Sequence, residues 1–245
     1  MTQAITTGDE MPADFPSEAY NNFHRQNFVN TFDVATRHPE AWAQYGGAIN
    51  GVAYRFLGMQ RAHDDFLRAF SPNGASRTDE EIAFHTFFVC ALSVVECSAY
   101  AAYGVLSMID HSAFPITKDA LRRATSPVAV ALACTGDPRL GQLGAAFGAI
   151  DHSPVYRQLK EIRNTLSHRQ APPRHIFLEL HDGPAPPPAP PRSTELQFGH
   201  LLLPAAAPAS LEIDSTTLNP YRAWVIDALM LVLDGLQSVA SEIPH

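Results

Sequence analysis

The longest apolar stretch of the chain extends from Ile82 to Ile109, and Glu96 is the only formally charged residue in it. It follows a capping-box pattern, in which Thr78 can cap a helix and Glu81 can reach back to the cap. The stretch is long enough to cross a bilayer, but histidine, serine and threonine side chains interrupt it. We therefore predict the central helix of a bundle, surrounded by other helices, rather than a membrane span.

Amphipathic segments on both sides of this stretch predict further helices. The predicted helices extend over residues 17–37, 40–70, 78–109, 117–123, 154–170 and 219–242. His38-Pro39 separates the first two of them, because proline ends a helix at the residue before it. The second helix carries several glycines, which weaken it but permit close contact with a neighbouring helix. These glycines are Gly46, Gly47, Gly51 and Gly58.

The segment from residue 171 to residue 216 differs in character from the rest of the chain. Residues 175–180 and 195–202 alternate or cluster as strands do, and residues 211–214 can add a third strand. Ten of the 20 prolines lie in this segment, and they favour an extended loop between the first two strands. The fold prediction is a mainly α, up-and-down helical bundle over residues 1–245. A small β-rich, proline-rich insertion at residues 171–216 precedes the last helix.

The charge of the chain is unevenly distributed. The net charge is −8 at pH 7, which argues against a general nucleic-acid coat because affinity for phosphate needs a positive field. Between residues 155 and 175, however, five basic residues accompany a single acid, Glu161. The basic residues are Arg157, Lys160, Arg163, Arg169 and Arg174. This local strip is compatible with a small phosphate-handling site.

Cysteine usage and the first residues of the chain indicate a cytoplasmic protein. The three cysteines form no CxxC pair, so reduced thiols are a better interpretation than a disulfide framework. Cys90 and Cys97 are seven residues apart, on one helical face, which favours core packing. The N-terminal residues show no basic stretch followed by an apolar run, and we expect no signal peptide.

No cofactor or metal site is predicted. The 11 histidines include no HExxH or comparable ligand spacing, and no phosphate-binding glycine loop follows a predicted strand. The acidic group His63-Asp64-Asp65 is interpreted as exposed helix surface rather than as a ligand cluster. No serine or cysteine nucleophile motif is present either.

The helix that begins at Ser153-Pro154 carries the candidate chemistry. With about 100° between successive residues, its apolar positions form one stripe, which should pack against the bundle: Val155, Leu159, Ile162 and Leu166. Polar residues form a nearly opposite stripe: Arg157, Glu161, Asn164 and His168. Arg163 lies at the edge of the apolar stripe, so its stem can pack while its guanidinium reaches outward. Periodicity alone favours an ordinary solvated helix face with polar residues.

The run from Arg163 to His168 resembles a known ribonuclease motif. It reads Arg-Asn-Thr-Leu-Ser-His, which is similar to the RNxxxH form of the Rx4–6H motif of the HEPN superfamily. Its position agrees with that family, since it lies on a late helix preceded by a long central helix with one acid. The resemblance covers roughly residues 78–170 and the last helix, and does not extend to the β insertion.

The resemblance implies a metal-independent endoribonuclease whose site forms where two subunits meet. His168 is then the general acid or base for attack by a ribose 2′-hydroxyl, because the histidine pKa lies near neutrality. Arg163 stabilises charge on the phosphoryl oxygens, and Asn164 holds the imidazole or donates to phosphate. The expected partners are RNA or a nucleotide, a second copy of the chain, and an antitoxin or other protein. A toxin or phage-defence setting is implied by the family alone.

Glu96 is the fourth candidate site residue. An ionised carboxylate on an apolar helix is costly unless it is paired. We predict that Glu96 pairs with Arg163 or His168 and orients the site. The alternative is a carboxylate that is satisfied by a hydroxyl group elsewhere or that faces solvent.

Two other interpretations of the whole chain stay open. In the first, the chain is a non-catalytic HEPN-like module that binds a nucleotide or a protein, and the insertion is its contact surface. In the second, the resemblance is accidental and the chain is an unrelated helical bundle. Convergence of Arg163, Asn164 and His168 near a twofold axis is required by the nuclease only.

Overall fold

The computed structural model of this chain describes residues 11–26, 35–70, 77–168, 174–175, 194–197 and 210–243. Helices dominate these residues, and the prediction of a mainly helical bundle is confirmed. The helices are α1 (Ser17–Gln26), α2 (Pro39–Ala69), α3 (Arg77–Ile109), α4 (Lys118–Ala124), α5 (Pro127–Ala133), α6 (Gly141–His152), α7 (Pro154–His168) and α8 (Asn219–Val239). Single 3₁₀ turns at Pro138–Leu140 and Ala240–Glu242 precede α6 and follow α8.

The antiparallel pair of α2 and α3 forms the centre of the fold. Two glycines of α2 face two cysteines of α3: a Cβ atom on Gly51 would lie 3.1 Å from Cys97 Sγ, and one on Gly58 would lie 2.9 Å from Cys90 Sγ. A Cβ atom on Gly104 of α3 would in turn lie 3.0 Å from the backbone nitrogen of Tyr45. Small residues at these positions therefore allow the two helices to approach closely, as predicted for α2.

Aromatic side chains of α3 fill the core on the sides that face α2 and α8. Phe84, Phe87 and Phe88 are almost fully buried, and the ring of Phe88 meets Tyr221 of α8 edge to face at 5.1 Å between centroids. Two helical stretches, Thr78–Ile109 and Asn219–Glu242, are long and apolar enough to cross a membrane by length and composition. In the most apolar 18 residues of each stretch, 61% are buried inside the fold in the first and 50% in the second. This burial agrees with the packing of α3 and α8 against each other.

The region between α3 and α7 consists of short helices, as its prolines and glycines predict. The short helix predicted over residues 117–123 is confirmed as α4, and the Thr117 side chain caps it by accepting a hydrogen bond from the Ala120 backbone nitrogen at 3.2 Å. Gly136 has a φ of 95°, in the left-handed region that glycine tolerates best. It allows the chain to turn from α5 towards α6.

Three short strands are described between α7 and α8. They are β1 (Arg174–His175), β2 (Thr194–Gln197) and β3 (Ser210–Ile213). They pair antiparallel in the order β1-β2-β3, with Glu195 opposite His175 on one side and Glu212 on the other. Most of the remaining segment 171–216, which we predict to be an insertion, lies outside the described residues. Residues 27–34 of the predicted first helix also lie outside them.

The interpretation of His63 as exposed surface is wrong. Only 9% of this residue is exposed, whereas Asp64 and Asp65 beside it are exposed. The His63 Nε2 atom lies 2.8 Å from Asn219 Oδ1 at the start of α8. The histidine thus joins α2 to α8, and only its acidic neighbours belong to the surface.

Candidate active site

Helix α7 places the motif residues by burying the predicted apolar stripe. Leu159 and Ile162 are buried, with 0% and 4% of each exposed, and Val155 and Leu166 pack partly buried against the same core. Pro154 occupies the first turn, where its missing N–H costs no helical hydrogen bond. Helix α7 also packs on α3, so the residues at the edge of its apolar stripe lie next to α3.

Arg163 and Glu96 meet where α7 packs on α3. The Arg163 Nη2 atom donates to Glu96 Oε1 at 3.0 Å, and the two side chains are 28% and 35% exposed. The predicted pairing of Glu96 with Arg163 is therefore confirmed. Among the residues that the structure describes, Glu96 is the hydrogen-bond partner of Arg163, and it engages one of the five guanidinium N–H groups. With 28% of its side chain exposed, Arg163 can offer further N–H groups to a ligand.

Burial and charge oppose each other at Glu96. Burial raises the pKa of the Glu96 carboxyl, while the positive charges of Arg163 and Lys160 act to lower it, and the effect of burial is the larger. Burial, followed by the negative charges of Glu96 and Asp151, raises the pKa of Tyr156 to about 12. Tyr156 therefore stays a neutral phenol, and its ring stacks on Trp224 of α8 at 6.2 Å between centroids.

Asn164 and His168 occupy a different sector of α7 from Arg163. The helical rotation places Asn164 about 100° and His168 about 140° away from Arg163 around the axis. Asn164 is half-buried. His168 is the last residue of α7, and its side chain lies outside the described part of the chain. One subunit therefore brings Arg163 and Glu96 together on the α3 side, while the positions of Asn164 and His168 lie farther around the helix.

A second histidine, His85, lies against the motif, and it was not among the predicted site residues. The His85 Nε2 atom of α3 is 3.5 Å from the Oγ atom of Ser167 on α7. His85 precedes Glu96 by 11 residues, which is close to three helical turns, so both residues lie on the same face of α3. That spacing is visible in the sequence, although it predicted His85 only as an interruption of the apolar stretch.

No protein-family model, no curated protein and no solved structure matches this chain. Within the described residues, no group of three histidine, cysteine, aspartate or glutamate side chains is placed so that it could hold a metal ion.

We expect the two partners of the ion pair to respond differently to substitution. At neutral pH, Arg163→Gln removes the cation beside a partly buried carboxylate and should lower the free energy of unfolding by about 1 kcal/mol, a value kept small because solvent screens a pair that is about a third exposed. Glu96→Gln removes the buried charge but leaves an amide oxygen to accept from Arg163. It should be no less stable than the wild type.

The same substitutions give a pH dependence with a defined sign. Because burial raises the pKa of Glu96 in the folded state, the folded protein binds the carboxyl proton more tightly than the unfolded chain does. The protonated carboxyl therefore stabilises the fold fully below the unfolded pKa, and this stability is lost as the pH rises through the folded pKa. The stability difference between Glu96→Gln and the wild type should therefore shrink as the solution is acidified. Urea unfolding across the acidic range measures it. A neutral-pH loss in Glu96→Gln larger than that in Arg163→Gln would contradict this account.

Proposed function

We propose that this protein is a metal-independent endoribonuclease with a HEPN-like helical bundle, active as a homodimer. The observation that supports the proposal most strongly is that Arg163 is both paired and partly exposed. The arginine of the RNxxxH pattern is oriented by Glu96 at 3.0 Å, yet its side chain is 28% exposed. An arginine held in this way keeps free, preoriented donors for a phosphate group.

The proposed chemistry uses the 2′-hydroxyl of the RNA as the nucleophile. Arg163 donates to the phosphoryl oxygens as charge develops on them. His168 accepts a proton from the 2′-hydroxyl or gives one to the departing 5′-oxygen. Asn164, one turn before His168 on the helix, orients the imidazole or donates to phosphate. The products are a 2′,3′-cyclic phosphate and a 5′-hydroxyl, and no cofactor is required.

The positions on α7 support a site shared by two subunits. Arg163 and His168 are about 140° apart around the helix axis, so they do not face the same point in one chain. A second copy related by a twofold axis would present its own His168 to this Arg163. The pairing of two α7 helices would also add a second guanidinium and exclude water from the phosphate.

The charge of the protein indicates what kind of RNA it would cut. A net charge of −8 gives little long-range attraction for an extended duplex. The basic strip around Arg163 suits a short single-stranded segment, whose bases and phosphates can both be reached. A cytoplasmic toxin or phage-defence role, with an antitoxin as partner, would fit such an enzyme and is part of the proposal.

A second candidate function is a non-catalytic module that binds a nucleotide or a protein. One observation favours it: the charge of Arg163 is already balanced by Glu96, as expected of an arginine that only joins α7 to α3. In that case the segment 171–216 would be the contact surface. The two functions differ in whether His168 is needed for chemistry.

Cleavage of single-stranded RNA in the presence of EDTA tests the proposal. We expect the wild type to cut, and His168→Ala to be slower by a factor of about 10²–10⁴, the usual contribution of a general acid or base. His152→Ala is the matched control, because His152 is exposed at the end of α6, far from His168 along the chain, and its Nδ1 atom lies 2.7 Å from the Gly148 carbonyl oxygen. That variant should cut like the wild type.

Absence of cleavage by folded, dimeric wild type on a broad panel of RNAs would favour the binding module. Equal activity of His168→Ala and the wild type would remove the motif histidine from the mechanism.

A further inference from the structure

We propose that Lys160 binds the same phosphate group of the RNA as Arg163, and that it supplies binding affinity rather than stabilisation of the transition state. The inference rests on the proposed ribonuclease function and deepens it, because it names a substrate-binding residue outside the RNxxxH pattern. The feature that points to Lys160 is its position beside the ion pair of Arg163 and Glu96.

Lys160 lies on the edge of α7 that faces α3, within one turn of Arg163. The two residues are three positions apart, so their Cβ atoms are about 5–6 Å from each other. Lys160 also lies within about 20° of Ser167 around the helix axis. Both of its neighbours on this edge contact α3: Arg163 meets Glu96 at 3.0 Å, and Ser167 Oγ is 3.5 Å from His85 Nε2.

The charge of Lys160 reaches the carboxylate that orients Arg163. Burial raises the pKa of the Glu96 carboxyl, and the positive charges of Arg163 and Lys160 act in the opposite direction. Two cations therefore accompany one carboxylate, and the group keeps a net positive charge. A phosphate that approaches Arg163 meets this positive charge, although the protein as a whole is acidic.

The Lys160 side chain is available to a ligand. It is exposed, and within the described parts of the chain its ammonium group has no ion pair or hydrogen bond. An ammonium group has three donors on a long, flexible stem. Because the Cβ atoms of Lys160 and Arg163 are neighbours on the helix surface, both cations can reach a single phosphate group.

The two cations should contribute to different kinetic constants. An ammonium group is a hydrated point charge without a preferred direction, so it attracts the phosphate about equally before and during the reaction. Uniform binding of this kind lowers KM without raising kcat. The planar guanidinium of Arg163 is oriented by Glu96, and its donors favour the charge that develops in the transition state.

Steady-state RNA cleavage by Lys160→Gln tests this division. We expect KM to rise about tenfold, the usual effect of losing a hydrogen bond between charged groups, while kcat stays unchanged. The slope of the logarithm of RNA affinity against the logarithm of salt concentration should become shallower by about 0.7, as for one lost contact to a single strand. Lys160→Arg keeps the charge and should restore most of the affinity.

Lys118→Gln is the matched control for this test. Lys118 is exposed on α4, so its loss removes the same charge from another part of the surface and should leave KM unchanged. An unchanged KM in Lys160→Gln, or a rise equal to that in Lys118→Gln, would overturn the inference. A loss confined to kcat would overturn it as well.

A second measurement, independent of catalysis, uses Lys118 and Lys160 as the two lysines of the chain. Folded protein is acetylated briefly with acetic anhydride, in inorganic phosphate or in sodium chloride of the same ionic strength. Mass spectrometry gives the rate at each lysine. We expect phosphate to slow acetylation of Lys160 but not of Lys118, and Arg163→Gln to abolish this protection. Equal rates at Lys160 in both salts, or protection that persists in Arg163→Gln, would overturn the shared anion site.

The failures of the two proposals are distinguishable. If the wild type cuts RNA and Lys160→Gln has the same KM, the inference about Lys160 fails and the proposed function stands. If the wild type cuts no RNA, the ribonuclease proposal fails together with the role of Lys160 in RNA binding. The acetylation rates then decide whether Lys160 and Arg163 form an anion site.

Discussion

Replacing Arg163 with glutamine is expected to slow RNA cleavage by a factor of about 10²–10³, the usual cost of losing a donor aimed at developing charge. The guanidinium is held in place by Glu96 at 3.0 Å, so its free donors are oriented before the substrate binds. Arg163→Lys should lose most of this effect as well, because an ammonium group cannot pair with Glu96 and bind two phosphoryl oxygens in the same planar geometry.

The control for this prediction is Arg157→Gln. Arg157 is on the same helix and is exposed, so its loss removes the same charge without disturbing the pair of Arg163 and Glu96. Single-turnover cleavage of a labelled RNA gives the rates, and urea unfolding shows whether each variant is folded. If Arg157→Gln and Arg163→Gln slow cleavage equally, the effect is one of overall charge and Arg163 has no special place in the mechanism.

The largest expected effect on stability comes from Gly104→Ala, which should lower the free energy of unfolding by about 1–3 kcal/mol through overpacking. The new Cβ atom would lie 3.0 Å from the Tyr45 backbone nitrogen and 3.1 Å from its Cα atom. Backbone atoms in the middle of a packed helix cannot move aside as the end of a flexible side chain can. The α2–α3 pair would have to separate locally.

Gly47→Ala is a control that should change the free energy of unfolding in the opposite direction. Nothing lies within 4 Å of a Cβ atom at Gly47, which is an exposed position inside α2. Alanine there should raise stability by about 0.5–1 kcal/mol, since glycine loses more conformational entropy in a helix. Urea unfolding of both variants measures the difference. A Gly104→Ala protein as stable as the wild type would contradict the close contact of α2 and α3.

The main helices could be predicted from the sequence because local rules decide them. The boundaries of α2, α3 and α8 follow from hydrophobic periodicity and from prolines at the starts of α2 and α8, and the structure agrees to within one to three residues at each end. A charged partner for Glu96 could also be predicted, because a carboxylate on an apolar helix is costly unless it is paired. The choice of Arg163 or His168 as that partner came from the resemblance of residues 163–168 to the RNxxxH motif.

Other features depend on contacts between distant parts of the chain. His63 was misread because Asp64 and Asp65 beside it are acidic, although it lies on the buried side of α2 and binds Asn219, 156 residues away. His85 was not predicted as a neighbour of the motif, because its contact with Ser167 depends on the packing of α7 against α3.

The arrangement of a second subunit is the remaining element of the proposed site. One chain places Arg163 and Glu96 together, and the helix geometry shows that His168 belongs to another sector of α7. The relation between two copies depends on surface complementarity, for which a single sequence gives no periodic signal.

Identification of the new RNA ends formed in EDTA tests the central claim most directly. Wild-type protein is incubated with a single-stranded RNA of defined length, and the products are identified by mass spectrometry. The account predicts fragments that end in a 2′,3′-cyclic phosphate and begin with a 5′-hydroxyl, and their absence with His168→Ala. Fragments with 3′-hydroxyl and 5′-phosphate ends, or no fragments at all, would contradict it.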